Sequence, residues 1–208
     1  MALRWSRAAP GFLLTLALLG VVRAQGSGSR DRTGQTPYVA VLGAVESREP
    51  SAGVPVGVAF AADDGELVAG TFDHISYPWH ERLPHWELAF LPRQEGLRGL
   101  TLPAQKRIEI YVRDTDTAET LARVVAHELG HAVDVQRNDS RDRDRWRVAR
   151  GAGPAVPWWP GDSERDFATL AGDFAEAFAT WQTGAASRST VGGPLTPEQL
   201  VVLAALAS

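Results

Sequence analysis

Two stretches carry a helical pattern of apolar positions, and the chemistry-bearing residues lie on them. In the first, Leu121, Val124, Val125 and Ala132 continue one apolar stripe, which Leu129 widens. Asp116 is the expected N-cap, with Glu119 three residues on completing a capping box. The second is expected to start near Asp162 or Ser163 and run to about Thr183. There Phe167, Leu170, Phe174, Phe178 and Trp181 recur at helical spacing. Another face of that helix carries Asp166, Thr169, Asp173, Glu176 and Thr180, a stripe of oxygen-bearing side chains one turn apart. A last helix is expected from Thr196, with Pro197 at its first position and Gln199 completing the cap.

The strands are expected before the first helix. Residues 38–45 and 54–61 are rich in Val and Ala and bounded by Pro and Gly. Asp63-Asp64-Gly65 reads as a turn, with a return strand over 66–72. Residues 86–91 fit a strand, and Lys106 to Arg113 is the clearest one, with Ile108, Ile110 and Val112 on one face. Between the two long helices, the charged run from Arg137 to Arg150 reads as a solvated, internally paired surface. Gly151 to Gly161 (GAGPAVPWWPG) is a loop, with Trp158 and Trp159 as packing groups or the border of a cleft.

The first residues change the picture of where the protein works. Arg4 and Arg7 precede the uncharged apolar run Gly11 to Val22, and Ala24 ends a stretch with cleavage-site character. That run suits a signal peptide and is too short to span a bilayer. Residues 1–24 are therefore expected to be a signal peptide, 25–36 (QGSGSRDRTGQT) a flexible linker and 37–208 the folded domain. The expected location is secreted or periplasmic, with no stable membrane insertion after cleavage. The net charge of -4 supplies no basic field, so nucleic acid is not an expected partner. The chain has no cysteine, so any zinc must be held by His, Asp or Glu.

The first helix contains His127-Glu128-Leu129-Gly130-His131, an H-E-x-x-H pattern. Histidines at i and i+4 project from one helix face and can reach one metal ion. Glu128 is displaced by about 100° round the helix and can lean toward the open metal position as general base. Only five histidines occur in the chain, so chance placement is a weak competitor once the capped amphipathic helix and preceding strand are added.

Catalytic zinc takes three protein ligands and one open position. Candidates for the third are Glu176, Asp173 and Asp134. Asp134 is close to His131 on the same helix, and more naturally orients a histidine or pairs with an arginine. Glu176 is preferred for its reach and its place mid-helix between Phe174 and Phe178. Asp173 remains open as ligand or supporting residue. The ligating carboxylate should face the gap between the His127 and His131 rings. His74, His80 and His85, in an aromatic-rich stretch, more naturally pack or cap turns.

HELGHAVD at 127–134 followed by DFAEAFATW at 173–181 resembles the gluzincin peptidases, in particular the catalytic domain of anthrax-lethal-factor-like peptidases. The resemblance covers these two helices. It implies zinc, held by His127, His131 and Glu176, with Glu128 as base. Glu176-Ala177-Phe178-Ala179 matches the family's E-x-F-A piece. One feature departs: many such peptidases stabilise the oxyanion with a tyrosine near the third ligand, whereas Tyr38, Tyr77 and Tyr111 all precede the motif. The electrophile must be His74, His80, His85, an arginine, or a tyrosine brought from the N-terminal half.

The expected fold is α+β and zincin-like. It has a twisted, mostly antiparallel sheet, the motif helix behind its edge strand, and a C-terminal helical part carrying Glu176. The expected function is zinc-dependent hydrolysis of peptide bonds in a peptide or protein substrate. The alternatives are a weak or inactive zinc-binding module, and an amidase acting on cell-wall peptides.

Overall fold

The computed structural model describes residues 57–60, 64–161 and 165–208. The expected signal peptide, linker and strand at 38–45 lie outside the described residues. The described part is α+β: a four-stranded mixed sheet and six α-helices. The strands are β1 (Val58–Ala59), β2 (Glu87–Pro92), β3 (Gly99–Leu102) and β4 (Arg107–Val112), in the order β1-β2-β4-β3.

The sheet corrects the expectation of a mostly antiparallel one. β1, β2 and β4 run parallel, and only the edge strand β3 is antiparallel, to β4. The reason lies in residues 66–72, read as a return strand that would have made a hairpin. They form helix α1 (Gly65–Phe72), which carries the chain toward a parallel strand instead. Leu67, Val68, Thr71 and Phe72 repeat at helical rather than alternating spacing, and the buried pair is Val68 and Thr71. The short helix α2 (Trp79–Arg82) follows. Central strands β2 and β4 bury Leu88, Ala89 and Phe90, and Ile108, Ile110 and Tyr111. The continuous buried run of β2 is what a strand with parallel neighbours on both sides requires, whereas β4, antiparallel to β3, leaves Glu109 partly exposed between Ile108 and Ile110.

Helix α3 (Ala118–Arg137) carries the motif. Its cap is Thr117, whose hydroxyl accepts from the Thr120 amide, in a reciprocal box with Thr120. The expected cap, Asp116, is engaged elsewhere: its carboxylate accepts both Arg98 guanidinium nitrogens, at 3.0 and 2.6 Å, and the Arg113 amide. The run 137–150 is not a purely solvated surface. It forms helix α4 (Ser140–Ala149), which buries Trp146 completely.

Helix α5 (Leu170–Thr183) starts later than the pattern suggested, because Thr169 caps it and Asp166–Ala168 form a separate 3-10 turn. Every residue from Leu170 to Ala179 is buried, so α5 is the central helix of the helical part. It packs on α3 at a point of close approach. A Cβ on Gly130 would lie 2.7 Å from the Ala175 Cα, so only glycine lets the two backbones come this near. That contact lies beside the HELGH turn and sets Glu176 next to His127. Helix α6 (Pro197–Leu206) follows with the expected Thr196 cap, Pro197 at its first position and Gln199 in the box. Among the described residues no helix is long and apolar enough to cross a membrane.

Candidate metal and active site

His127 and His131 stand on one face of α3 with ring centroids 4.9 Å apart. Both line a cleft of about 540 Å³, together with Glu128, Glu176, Asp166 and Trp159. The cleft runs between the edge strand β3, helix α3 and the loop that precedes α5.

A carboxylate meets each nitrogen of the His127 ring. Asp166 Oδ2 is 3.1 Å from Nε2, and Glu176 Oε1 is 2.9 Å from Nδ1. Asp166 also reaches the second histidine, with Oδ1 3.4 Å from His131 Nε2. The side chains whose ligand atoms gather closely enough for one ion are thus His127, His131 and Asp166. Asp166 had been one acid in the stripe and not a ligand candidate. The signal that could have singled it out is the spacing of that stripe, had the helix been started at Leu170 and Asp166 placed on the turn before it.

Glu176 is fully buried and reaches His127, but from the Nδ1 side, so it does not face the gap between the two rings. Its other oxygen accepts from Arg123 at 2.5 Å and from the Arg188 amide at 2.6 Å. The 2.9 Å approach to His127 is close in distance but not aligned: both His127 Nδ1 and Glu176 Oε1 are buried without a properly directed hydrogen bond. A carboxylate at the far nitrogen of a ligating imidazole is the arrangement that orients the ring.

The electrostatics follow from this crowding. Burial alone would push the His127 imidazole down, but the Asp166 and Glu176 carboxylates, with Glu128 nearby, raise it to about 9. Burial would raise Glu176 too, yet His127, the Arg188 amide and Arg123 hold it below its usual value. Asp166 is likewise held low, against burial, by its bonds to the two histidines.

Glu128 is nearly buried and tied to the sheet edge. Thr101 on β3 donates its hydroxyl to Glu128 Oε2 at 2.7 Å and approaches the Glu128 backbone oxygen at 3.0 Å. Gly99, two residues earlier, leaves the space the carboxylate occupies: a Cβ there would lie 2.5 Å from Oε1 and 2.6 Å from Cγ. Gly99→Ala is therefore expected to displace the Glu128 carboxylate without touching either histidine. Since misplacement of a reacting group by about 1 Å can cost 10²-fold, hydrolysis should fall about 100-fold with metal content unchanged. Steady-state kinetics beside metal analysis checks this, and unaltered turnover would show that the Glu128 position is not required.

Asp173 and Asp134, the other candidate ligands, are used elsewhere. Asp173 accepts Arg150 Nε at 2.8 Å and NH2 at 3.0 Å, with Trp146 Nε1 at 3.0 Å and the Ser189 hydroxyl at 2.5 Å. It is the buried tie between α4 and α5. Asp134 pairs with Arg143 at 3.1 Å and accepts Trp158 Nε1 at 2.9 Å. Arg143 in turn lies over the Trp158 and Trp159 rings, which fixes the tryptophan loop against α3 and brings Trp159 to the cleft.

None of the candidate electrophiles His74, His80 and His85 lines the cleft. Tyr77 donates to the Ala207 carbonyl and Tyr111 to Glu109, both away from it. The cleft contains arginines instead: Arg98, Arg123 and Arg188. Arg98 is committed to Asp116 and Arg123 to Glu176. The Arg188 side chain is exposed, and among the described residues it makes no ion pair.

Comparison with protein-family models, with curated proteins and with solved structures finds no match to this chain.

Proposed function

We propose that the chain is an exported zinc-dependent metallopeptidase of zincin-like fold; the gluzincin type is not carried over, because neither Glu176 nor Asp173 faces the gap between the His127 and His131 rings. The observation that carries the reading is the convergence of His127, His131 and Asp166 beside Glu128 in one cleft at a sheet edge. His127 and His131 are the imidazole ligands. Asp166 is the third, because its carboxylate faces both rings; the fully buried Glu176 meets His127 at Nδ1 and orients that ring. Arg123 and the Arg188 amide offset its charge and hold its other oxygen. Zinc in such a site polarises a carbonyl and lowers the pKa of a bound water to roughly 7.

The remaining steps fall to the protein. Glu128, oriented by Thr101, takes the proton from the attacking water and passes it to the leaving amine. Arg188 supplies N–H donors and positive charge for the developing oxyanion, in place of the hydroxyl donor that a nearby tyrosine would give. The free edge of β3, with Leu100 exposed beside the cleft, suits an extended peptide added as a further strand.

The test is digestion of a broad peptide library by the mature protein. Cleavage should stop on chelation and return with zinc. Arg188→Ala should cut the same bonds with kcat, more than KM, reduced by about 10²–10³. A zinc-loaded protein that cuts no peptide would favour the inactive binding module. Cleavage confined to cell-wall peptides would favour the amidase.

A further inference from the structure

The cleft has two unlike ends. Arg123 and Arg188 gather where Glu176 meets the far side of His127. At the other end, about one turn past His131 on α3, the wall is Val135 with Trp159 and Pro160. Trp159 is 43% exposed although it is a large apolar side chain, and its exposed area faces a cleft that contains the candidate metal ligands. Such a ring gains by burial against a second apolar group. We propose that Trp159, with Val135 and Pro160, is a subsite that selects peptides carrying a large apolar or aromatic side chain beside the scissile bond.

The seat is built into the chain. The Pro157 and Trp158 carbonyls accept from the Leu170 and Ala171 amides, at 3.0 and 2.9 Å, which pins the tryptophan loop on the first turn of α5. Arg147 on α4 donates to the Gly153 and Val156 carbonyls, at 3.0 and 2.8 Å. The Trp158 indole donates to the fully buried Asp134, beside Val135 on the motif helix. A loop held at three places presents its ring already ordered, so less freedom is lost when a substrate binds. The charges explain what the ring accepts. The Arg143 guanidinium lies 5.1 Å from the Trp159 ring centre and is paired with Asp134 at 3.1 Å. An acidic side chain would find that cation already paired, and a basic one would meet a like charge, whereas an apolar one buries ring surface at no such cost. Trp159 also precedes Asp166 on the connection from α4 to α5, and both line the cleft. A side chain seated on Trp159 therefore belongs to a residue next to the bond that is cut.

This inference rests on the metallopeptidase reading above, and its test separates the two. The full-length zinc-loaded protein digests a broad peptide library, and the residues flanking the cut bonds are read. The position beside the cut that is enriched in large apolar residues is then rebuilt in two peptides that differ only as Phe or Ala there. Wild type should prefer the Phe peptide by at least about tenfold in kcat/KM, the discrimination a hydrophobic pocket gives. Trp159→Ala, matched for bound zinc, should reduce the preference to about threefold or less, and Trp159→Phe, which keeps an aromatic face, should retain most of it. An equal preference in wild type and Trp159→Ala overturns the proposal. So does a wild-type digest with no enrichment of large apolar residues beside the cut. A wild-type protein that takes up no zinc or cuts no peptide overturns the metallopeptidase reading itself, and this inference with it.

Discussion

Replacing Glu128 by glutamine should leave metal content unchanged and lower peptide hydrolysis by about 10²–10⁴-fold, the range a positioned acid–base group contributes. The amide keeps the size of the side chain and can still meet the Thr101 hydroxyl, but it cannot take up a proton. The nearly buried carboxylate touches β3 on one side and the cleft on the other, and among the described residues the other acids lining that cleft are Asp166 and the buried Glu176. Activity within a few-fold of wild type in Glu128→Gln would remove Glu128 as base and turn attention to Asp166, which faces both histidines.

Asp166→Ala should weaken zinc by more than about 100-fold, because loss of a ligand exceeds the 10–100-fold cost expected for Glu176→Ala, which removes a residue that orients His127. Glu176→Ala also strands Arg123, whose side chain is mostly buried and has Glu176 as its ion-pair partner. A urea titration must therefore accompany the zinc competition assay, so that weakened folding is not read as lost metal. Asp173→Asn provides the contrast. It should leave zinc affinity unchanged while costing about 3 kcal/mol of stability, because it breaks a buried ion pair on one side only. If Asp166→Ala keeps zinc within the orienting range and Glu176→Ala strips it, Glu176 is the third ligand and Asp166 is not.

The residues of the site were legible in the sequence to different depths, for physical reasons. The motif helix was clear because its apolar stripe, its histidine spacing and its preceding strand are all local patterns. The α6 cap was equally local, and Thr196, Pro197 and Gln199 take the expected places. Residues 66–72 misled because the preceding Asp63-Asp64-Gly65 turn suggested a hairpin, although Leu67, Val68, Thr71 and Phe72 stand at helical spacing. That one error also reversed the sense of the sheet, since a helix there permits parallel neighbours where a hairpin would not. β3 was missed because Gly99–Leu102 is four residues long and half-buried, and it is defined by its pairing with β4 rather than by its own composition. The buried tie of Asp173 to Arg150, Trp146 and Ser189 depends on where α4 folds back on α5, which no spacing records. Asp166 was visible as an acid on a helical stripe. Its approach to both histidines depends on the Thr169 cap ending the helix early and on Gly172 admitting the turn.

The central claim is that one metal ion is held by the two histidines of the motif. Its most direct test is elemental analysis of the purified mature protein and of the His127→Ala/His131→Ala double variant, both dialysed after exposure to zinc and both shown to be folded by circular dichroism. The account predicts about one zinc per chain in the first and none in the second. Stoichiometric zinc in the folded double variant, or a wild-type protein that retains none, would contradict it.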